Sequence, residues 1–282
     1  MEILNRPLRA VFDALLAPFR SLDPMVGLTV VSLVVSIGLL WVFKRTSNQD
    51  KLADVKRKIH AGLFEIRLFN DDLRAILRAQ GEILWHNLSY LRLSAVPLLW
   101  ILPPLVFVVG QLQFHYSYGG LEIGEPVLLE ATLEEDWEIL AGAAVGGGGR
   151  PRLELTTPDG LRVDSAAVWS PTTREMTWRL VAERPGSYEV GLRLGDRSET
   201  KTAVVDDRVL RRSPLRAKGA MNQLIYPAEP PLAEQSPFEQ ISLTYPEVEV
   251  GIGGFQMWWM IVFFILTIIF AFALRKPMGV TI

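Results

Sequence analysis

Few side chains in this sequence could do bond chemistry. Cysteine is absent, and His60, His86 and His115 are the three imidazoles. Histidines grouped with carboxylates could hold zinc or act as general bases. His60 and His86 stand 26 residues apart, however, with no carboxylate arrangement that suggests a metal site. No Gly-x-Ser-x-Gly, no His-Glu-x-x-His and no nucleotide loop occurs. Gly146 to Gly149 leads into Arg150-Pro151. A phosphate loop needs Lys-Ser/Thr and a helix there, so this run reads as a flexible loop. A non-enzymatic protein with no cofactor, no metal and no small-molecule substrate is expected.

Other residues could act without making or breaking bonds. Thr29, Ser32, Ser36, Ser94, Gln111, Gln113, Gln256 and Thr267 place hydroxyls and amides in or beside stretches that are otherwise apolar. Ser32 and Ser36 share a helix face with Thr29. Such groups could line a mildly polar groove, although packing between helices uses the same residue types. Lys44, Arg45, Lys56, Arg57 and Lys58 form a candidate basic patch suited to anionic lipid headgroups.

The elements that position these residues are apolar runs. The chain has 282 residues, 49% apolar and 21% charged, with a mean hydropathy of +0.23 and a net charge of −2. This is too apolar for a disordered chain, and the near-neutral balance argues against a specific nucleic-acid binder. Val26–Phe43, Leu93–Phe114 and Gly251–Leu274 are uncharged over 18, 22 and 24 residues. A helix needs roughly 20 residues to cross the hydrocarbon core. Three transmembrane helices are predicted, at 25–43, 93–114 and 251–274.

Residues 44–92 carry ten basic and six acidic side chains (+4), and residues 93–256 carry fourteen and twenty-two (−8). Basic residues near a span mark its cytoplasmic side. The N-terminus and the segment after the second span are therefore expected outside, with 44–92 and the tail 275–282 in the cytoplasm. A bacterial inner or archaeal plasma membrane is the expected location. The first span reads as a retained anchor, because its apolar block starts only at Val26 and no cleavage pattern follows. Within residues 1–24, Leu8, Val11, Phe12, Leu15, Leu16, Phe19 and Leu22 recur at helical spacing between Arg9, Asp13 and Arg20. An amphipathic helix in the membrane interface, or one packed on the outer domain, fits that pattern.

From Lys51 to Arg92 the apolar residues Leu52, Val55, Ile59, Leu63, Ile66, Leu73, Leu77, Leu84, Leu88 and Leu91 keep helical spacing. Breaks fall near Asn70-Asp71-Asp72 and Gly81. This predicts a helical hairpin or coiled pair over 44–92, its second helix capped by Asn70 or Asp71 and continuous with the second span. Past Tyr118 the period changes to two. Strands are expected at 127–133, 152–156, 161–163, 166–169, 176–183, 187–194 and 198–205, with turns such as Pro158-Asp159-Gly160 between them. An immunoglobulin-like β-sandwich over 119–205, with Trp169 and Trp178 in its core, follows from seven short strands. Residues 206–250 read as a Pro-rich connection, ordered or not against the sandwich, that returns through one extended segment at 241–250. The expected fold class is a multi-span α-helical membrane protein with a cytoplasmic helical hairpin and an all-β Ig-like sandwich outside.

This order of parts, with Pro97 and Pro103-Pro104 in the second span, resembles the YidC/Oxa insertase superfamily. The nearest likeness is to its minimal three-span archaeal YidC-like members. Gly253-Gly254-Phe255-Gln256-Met257-Trp258-Trp259 and Arg275-Lys276-Pro277-Met278-Gly279-Val280 carry the local similarity. The resemblance covers residues 25–114 and 251–282. It implies assistance to the insertion or assembly of membrane proteins through an intramembrane groove. Partners would be membrane lipid, client segments, a translocon and the ribosome. Two departures stand out: a whole β-domain replaces a short outer segment, and no span contains the basic groove residue of the bacterial members. A different class of function also fits, a non-catalytic subunit of a cell-envelope complex whose β-sandwich binds a partner.

Overall fold

The computed structural model describes residues 2–69, 71–140, 149–252 and 254–280. The protein is a mixed helix and sheet fold. Its helices are α1 (Glu2–Leu16), α2 (Pro24–Thr46), α3 (Gln49–Leu68), α4 (Leu73–Tyr116), α5 (Trp137–Leu140), α6 (Ala220–Ile225) and α7 (Trp259–Leu274). Its strands are β1 (Pro126–Leu133), β2 (Leu153–Thr156), β3 (Leu161–Val163), β4 (Val168–Ser170), β5 (Glu175–Ala182), β6 (Gly186–Leu194), β7 (Arg197–Val205), β8 (Leu215–Ala217), β9 (Phe238–Leu243), β10 (Val250–Ile252) and β11 (Phe255–Met257). The chain divides into two compact units. A β unit comprises residues 1–27 and 109–260, and a helical unit comprises 28–108 and 261–282.

In the helical unit, α2 and α4 are long and apolar enough to cross a membrane, by length and composition. The third apolar run is helical only from Trp259, giving a 16-residue helix, about 24 Å long. Its first residues form the β10–β11 hairpin instead, where Gly254 adopts φ +90°, a left-handed turn that glycine accepts without strain. The run at 93–114 is the C-terminal half of α4, which continues through Pro97, Pro103 and Pro104 without interruption. At its start, the Asp72 carboxylate accepts from the backbone N–H groups of Arg74 and Ala75 at 2.8 and 3.2 Å. The cap is therefore Asp72 rather than Asp71, since its side chain lies directly before the first helical turn. Asn70 lies outside the described residues.

Helices α3 and α4 pair antiparallel. Gly62 packs against Ile83, Lys56 lies over the Tyr90 ring, and Leu52 and Ala79 are buried. A Cβ on Gly62 would stand 2.6 Å from Ile83 Cγ1, so a small residue there sets how closely the helices approach. The predicted apolar stripe does not act as one seam. Leu52 is buried, whereas Leu63, Leu73, Leu77, Leu84, Leu88 and Leu91 are all exposed.

In the β unit, one antiparallel sheet runs β3-β5-β1-β9-β8, with β4 also on β5, and a second runs β2-β6-β7. Both contribute to a single buried cluster that includes Leu129 and Ala131 of β1, Trp178 and Leu180 of β5, and Val190 and Leu192 of β6. The alternation of β1 is visible in its burial: Val127, Leu129, Ala131 and Leu133 face inward and Leu128 outward. Trp178 lies in the core and Trp169 packs at its edge. Gly160, with φ +112°, closes the predicted turn under the Tyr188 ring, which leaves no room for a Cβ.

The stretch at 206–240 is more structured than its prolines suggest. It contributes β8, α6 and the start of β9, which pairs with β1 in the centre of the larger sheet. The fully buried Lys201 on β7 fastens it, donating to the Ser213 carbonyl at 2.6 Å and to the Glu229 carboxylate. Thr202 N–H donates to the other Glu229 oxygen at 2.9 Å. Burial alone would raise the Glu229 carboxyl, but the Lys201 ammonium and the Thr202 N–H hold it below the usual carboxylate range. Gly146 to Gly148 of the predicted flexible loop lie outside the described residues.

The inward and outward faces of β1 give a direct check. Leu129→Ala is expected to cost about 3 kcal/mol, as an emptied core site does, and Leu128→Ala less than about 0.5 kcal/mol. Thermal or denaturant unfolding of the two variants would show equal losses if this register were wrong.

Candidate functional site

The eight polar candidates of the apolar runs are divided between the two units. Thr29, Ser32, Ser36, Ser94 and Thr267 belong to the helical unit, and Gln111, Gln113 and Gln256 to the β unit. Within the helical unit, Ser32, Ser36 and Thr267 are brought together and buried. Ser32 Oγ donates to the Leu28 carbonyl at 2.7 Å. Ser36 Oγ lies 2.6 Å from the Ser32 carbonyl and 3.0 Å from the Thr267 carbonyl. The Ser36 hydroxyl joins α2 to the main chain of α7, the Ser32 hydroxyl stays within α2, and Thr267 Oγ1 is buried with no hydrogen-bond partner; small polar residues commonly occupy contacts between apolar helices in this way. Thr29 and Ser94 are half-buried. Gln256 is exposed on β11, opposite Gly251, and is not part of a helix.

The cations of the basic patch have local contacts. Lys44 donates to the Met278 carbonyl at 2.7 Å, and Arg45 lies over the Trp41 ring at 5.5 Å. Arg57 and Lys58 both pair with Asp54, at 3.5 and 2.9 Å. The hydrogen bond from Lys58 holds the Asp54 carboxyl below its ordinary range. Lys56 remains on α3 with its ammonium 5.9 Å from the centre of the Tyr90 ring. All five cations lie in the helical unit, and because the one Asp54 carboxylate is shared by two of them, the patch keeps a net positive charge.

A cluster that the sequence did not single out lies in the β unit. Asn5, Arg9 and Asp13 recur every four residues along α1, and the structure turns this polar stripe inward. Asn5 donates to the Gln223 carbonyl at 2.7 Å and Arg9 to the Pro227 carbonyl at 2.9 Å. Asp13 pairs with Arg211 and stands 3.2 Å from His115 Nε2. Arg211 also donates to the Arg9 carbonyl at 2.7 Å. Beside it, Arg212 donates to the carbonyls of Tyr118, Arg208 and Asp206, and its own N–H bonds the Phe114 carbonyl at 2.7 Å. Of the two arrangements open for residues 1–24, packing on the β domain is the one these hydrogen bonds make. Ile3 and Val11 stay exposed on the opposite flank. The four-residue spacing of Asn5, Arg9 and Asp13 on one face of an otherwise apolar helix was the available signal.

His115 is therefore a structural histidine of this clamp, its Nδ1 2.9 Å from the Gln111 carbonyl. His60 lines a concavity on α3 with Leu63, Phe64, Ile66 and Arg67. Among the described residues no group of three or more His, Asp or Glu side chains is placed to hold a metal ion. A second concavity, of about 530 Å³, is lined by Gln113, Ser117, Tyr118, Glu247, Glu249 and Trp258 in the β unit. The Trp259 indole N–H donates to Ser117 Oγ at 2.6 Å close to it.

The clamp should titrate. Burial acts to raise the Asp13 carboxyl, but the hydrogen bonds and charges of His115 and Arg211 outweigh it and hold it below 3.8. A depressed carboxyl contributes stability that is complete above 3.8 and lost as pH falls through its lower folded value. Asp13→Asn is expected to cost about 1–2 kcal/mol at neutral pH, the low end for a broken pair because Asp13 is partly exposed. It should also flatten the stability profile below pH 3.8; a variant that melts at the temperature of the unaltered protein at every pH would discount the clamp. The sequence matches no protein-family model and no curated protein.

Proposed function

We propose that the protein is a three-span membrane protein of the YidC/Oxa type that assists insertion or assembly of other membrane proteins. In this reading α2, the apolar half of α4 and α7 cross the membrane, the last in the locally thinned bilayer that a 16-residue helix requires. The α3–α4 hairpin projects into the cytoplasm and an Ig-like β-sandwich stands outside. The separation of +4 on residues 44–92 from −8 on residues 93–256 supports that orientation.

One observation carries the function. Around the turn between α3 and α4, Phe64, Leu68, Phe69 and Leu73 are all exposed, flanked by the exposed cations Arg67 and Arg74. An apolar cluster of this size in water calls for a partner. A hydrophobic segment on its way to the membrane is an apolar partner of the right kind, and the flanking cations suit a ribosomal or headgroup phosphate nearby. No bond chemistry is needed.

The burial of Ser32, Ser36 and Thr267 favours a second reading. With these side chains buried between α2 and α7, the helices could serve as an anchor for a β-sandwich that binds one envelope partner. Photocrosslinking from residue 64 separates the two. Adducts with many newly made membrane proteins, reduced at least tenfold by Leu68→Glu, are expected of an insertase. Capture of one stable protein, or of none, would sink that reading in favour of the interaction subunit.

A further inference from the structure

Helix α4 carries two apolar faces, and α3 covers one of them. Ala79 and Ile83 face α3, as the burial of Ala79 and the Gly62–Ile83 contact show. On the other side, Leu77, Gly81, Leu84, Leu88, Leu91, Ala95, Leu98 and Leu102 follow one another at alternating steps of four and three residues, and all are exposed. This is a strict heptad seam, with leucine at every d position and Gly81, Leu88, Ala95 and Leu102 at a. It runs for 26 residues, about 38 Å, and passes Arg92 into the uncharged half of the helix without losing register. Pro97, Pro103 and Pro104 fall at b and c positions, off the seam. At Gly81 nothing lies within 4 Å of the place a Cβ would take. A concavity of about 640 Å³ opens there between Leu84, Trp85, Leu88 and Leu91, with room for several side chains of a facing helix.

The residues beside the seam select the occupant. The e positions are Arg78, Trp85, Arg92 and Leu99, and the g positions are Gln80, Asn87, Ser94 and Ile101. Two copies in parallel would set Gln80 against Trp85 and Asn87 against Arg92, with no like charges opposed. An antiparallel pair centred on Trp85 would instead face Arg78 with Arg92 of the other copy, which repels. Copies that share a membrane orientation are also parallel by necessity, a point that rests on the membrane reading above.

We propose that two copies of this chain pair in parallel along the Leu77–Leu102 seam of α4. The interface is isologous, each leucine meeting its own counterpart across a two-fold axis along the helix direction. It continues from the charged hairpin into the apolar half of the helix. Because α3 packs on the opposite face, pairing leaves the apolar turn at Phe64 and Leu68 free.

The absence of cysteine permits a clean test. Single cysteines at positions 84, 88, 91 and 98 of the full chain in nanodiscs should give disulfide-linked dimers, with at least tenfold less at the b positions 82 and 89. Linkage restricted to one position would indicate an antiparallel pair, and linkage to a different protein in native membranes another occupant; either overturns the proposal. The molecular mass of the unmodified chain in nanodiscs provides a measure that no substitution perturbs, and a monomer there overturns it as well. Leu84→Lys with Leu88→Lys should convert dimer to monomer, whereas Glu82→Lys should not. Client capture at residue 64 is read separately, so the seam and the insertase reading can fail independently.

Discussion

A helix of 44 residues can hold only if the groups its ends leave unpaired find partners, and α4 meets that demand at both ends. The Asp72 carboxylate takes two N–H groups of the first turn. At the other end, the Phe114 carbonyl receives the Arg212 N–H, and Ser117 N–H closes on the Gln113 carbonyl. Three prolines remove donors along the way, leaving the carbonyls of Leu93, Leu99 and Trp100 without their usual partner four residues on. The helix continues past them with its two termini fixed by these bonds. The division between the two units falls within α4, as it also does within α2 and α7.

Much of the architecture was legible because it rests on period. The strands at 127–133, 161–163, 187–194 and 198–205 appear within a residue of where alternation places them, since a core on one side of a sheet enforces it. Short connections hid more. β8 and α6 are too brief to show a period, and their places are set by Lys201, Glu229 and the Arg216 guanidinium, which reaches the Pro230 carbonyl at 2.9 Å. No local pattern announces a contact between residues 28 positions apart.

The candidate site shows the same division. That Ser32 and Ser36 share a helix face was readable from their spacing; that Thr267 would meet them was not, because pairing between helices depends on long-range packing. α1 is the sharper case. Its apolar residues suggested the buried face, yet Asn5 and Arg9 are among the most buried positions of the helix and Val11 is exposed. The sequence contains the reason, three polar side chains at four-residue steps, but their carbonyl partners at 223 and 227 are defined only once the chain has folded back.

That clamp carries a consequence for how the protein is made. Asn5 and Arg9 each bond a residue 218 positions later in the chain. At synthesis rates of about 5–20 residues per second, roughly 10–40 seconds separate the appearance of α1 from that of its acceptors. Throughout that interval α1 has its polar stripe unsatisfied, while α2, α3 and α4 are being completed behind it. An early helix thus waits on late residues, and its docking cannot precede the synthesis of Gln223 and Pro227.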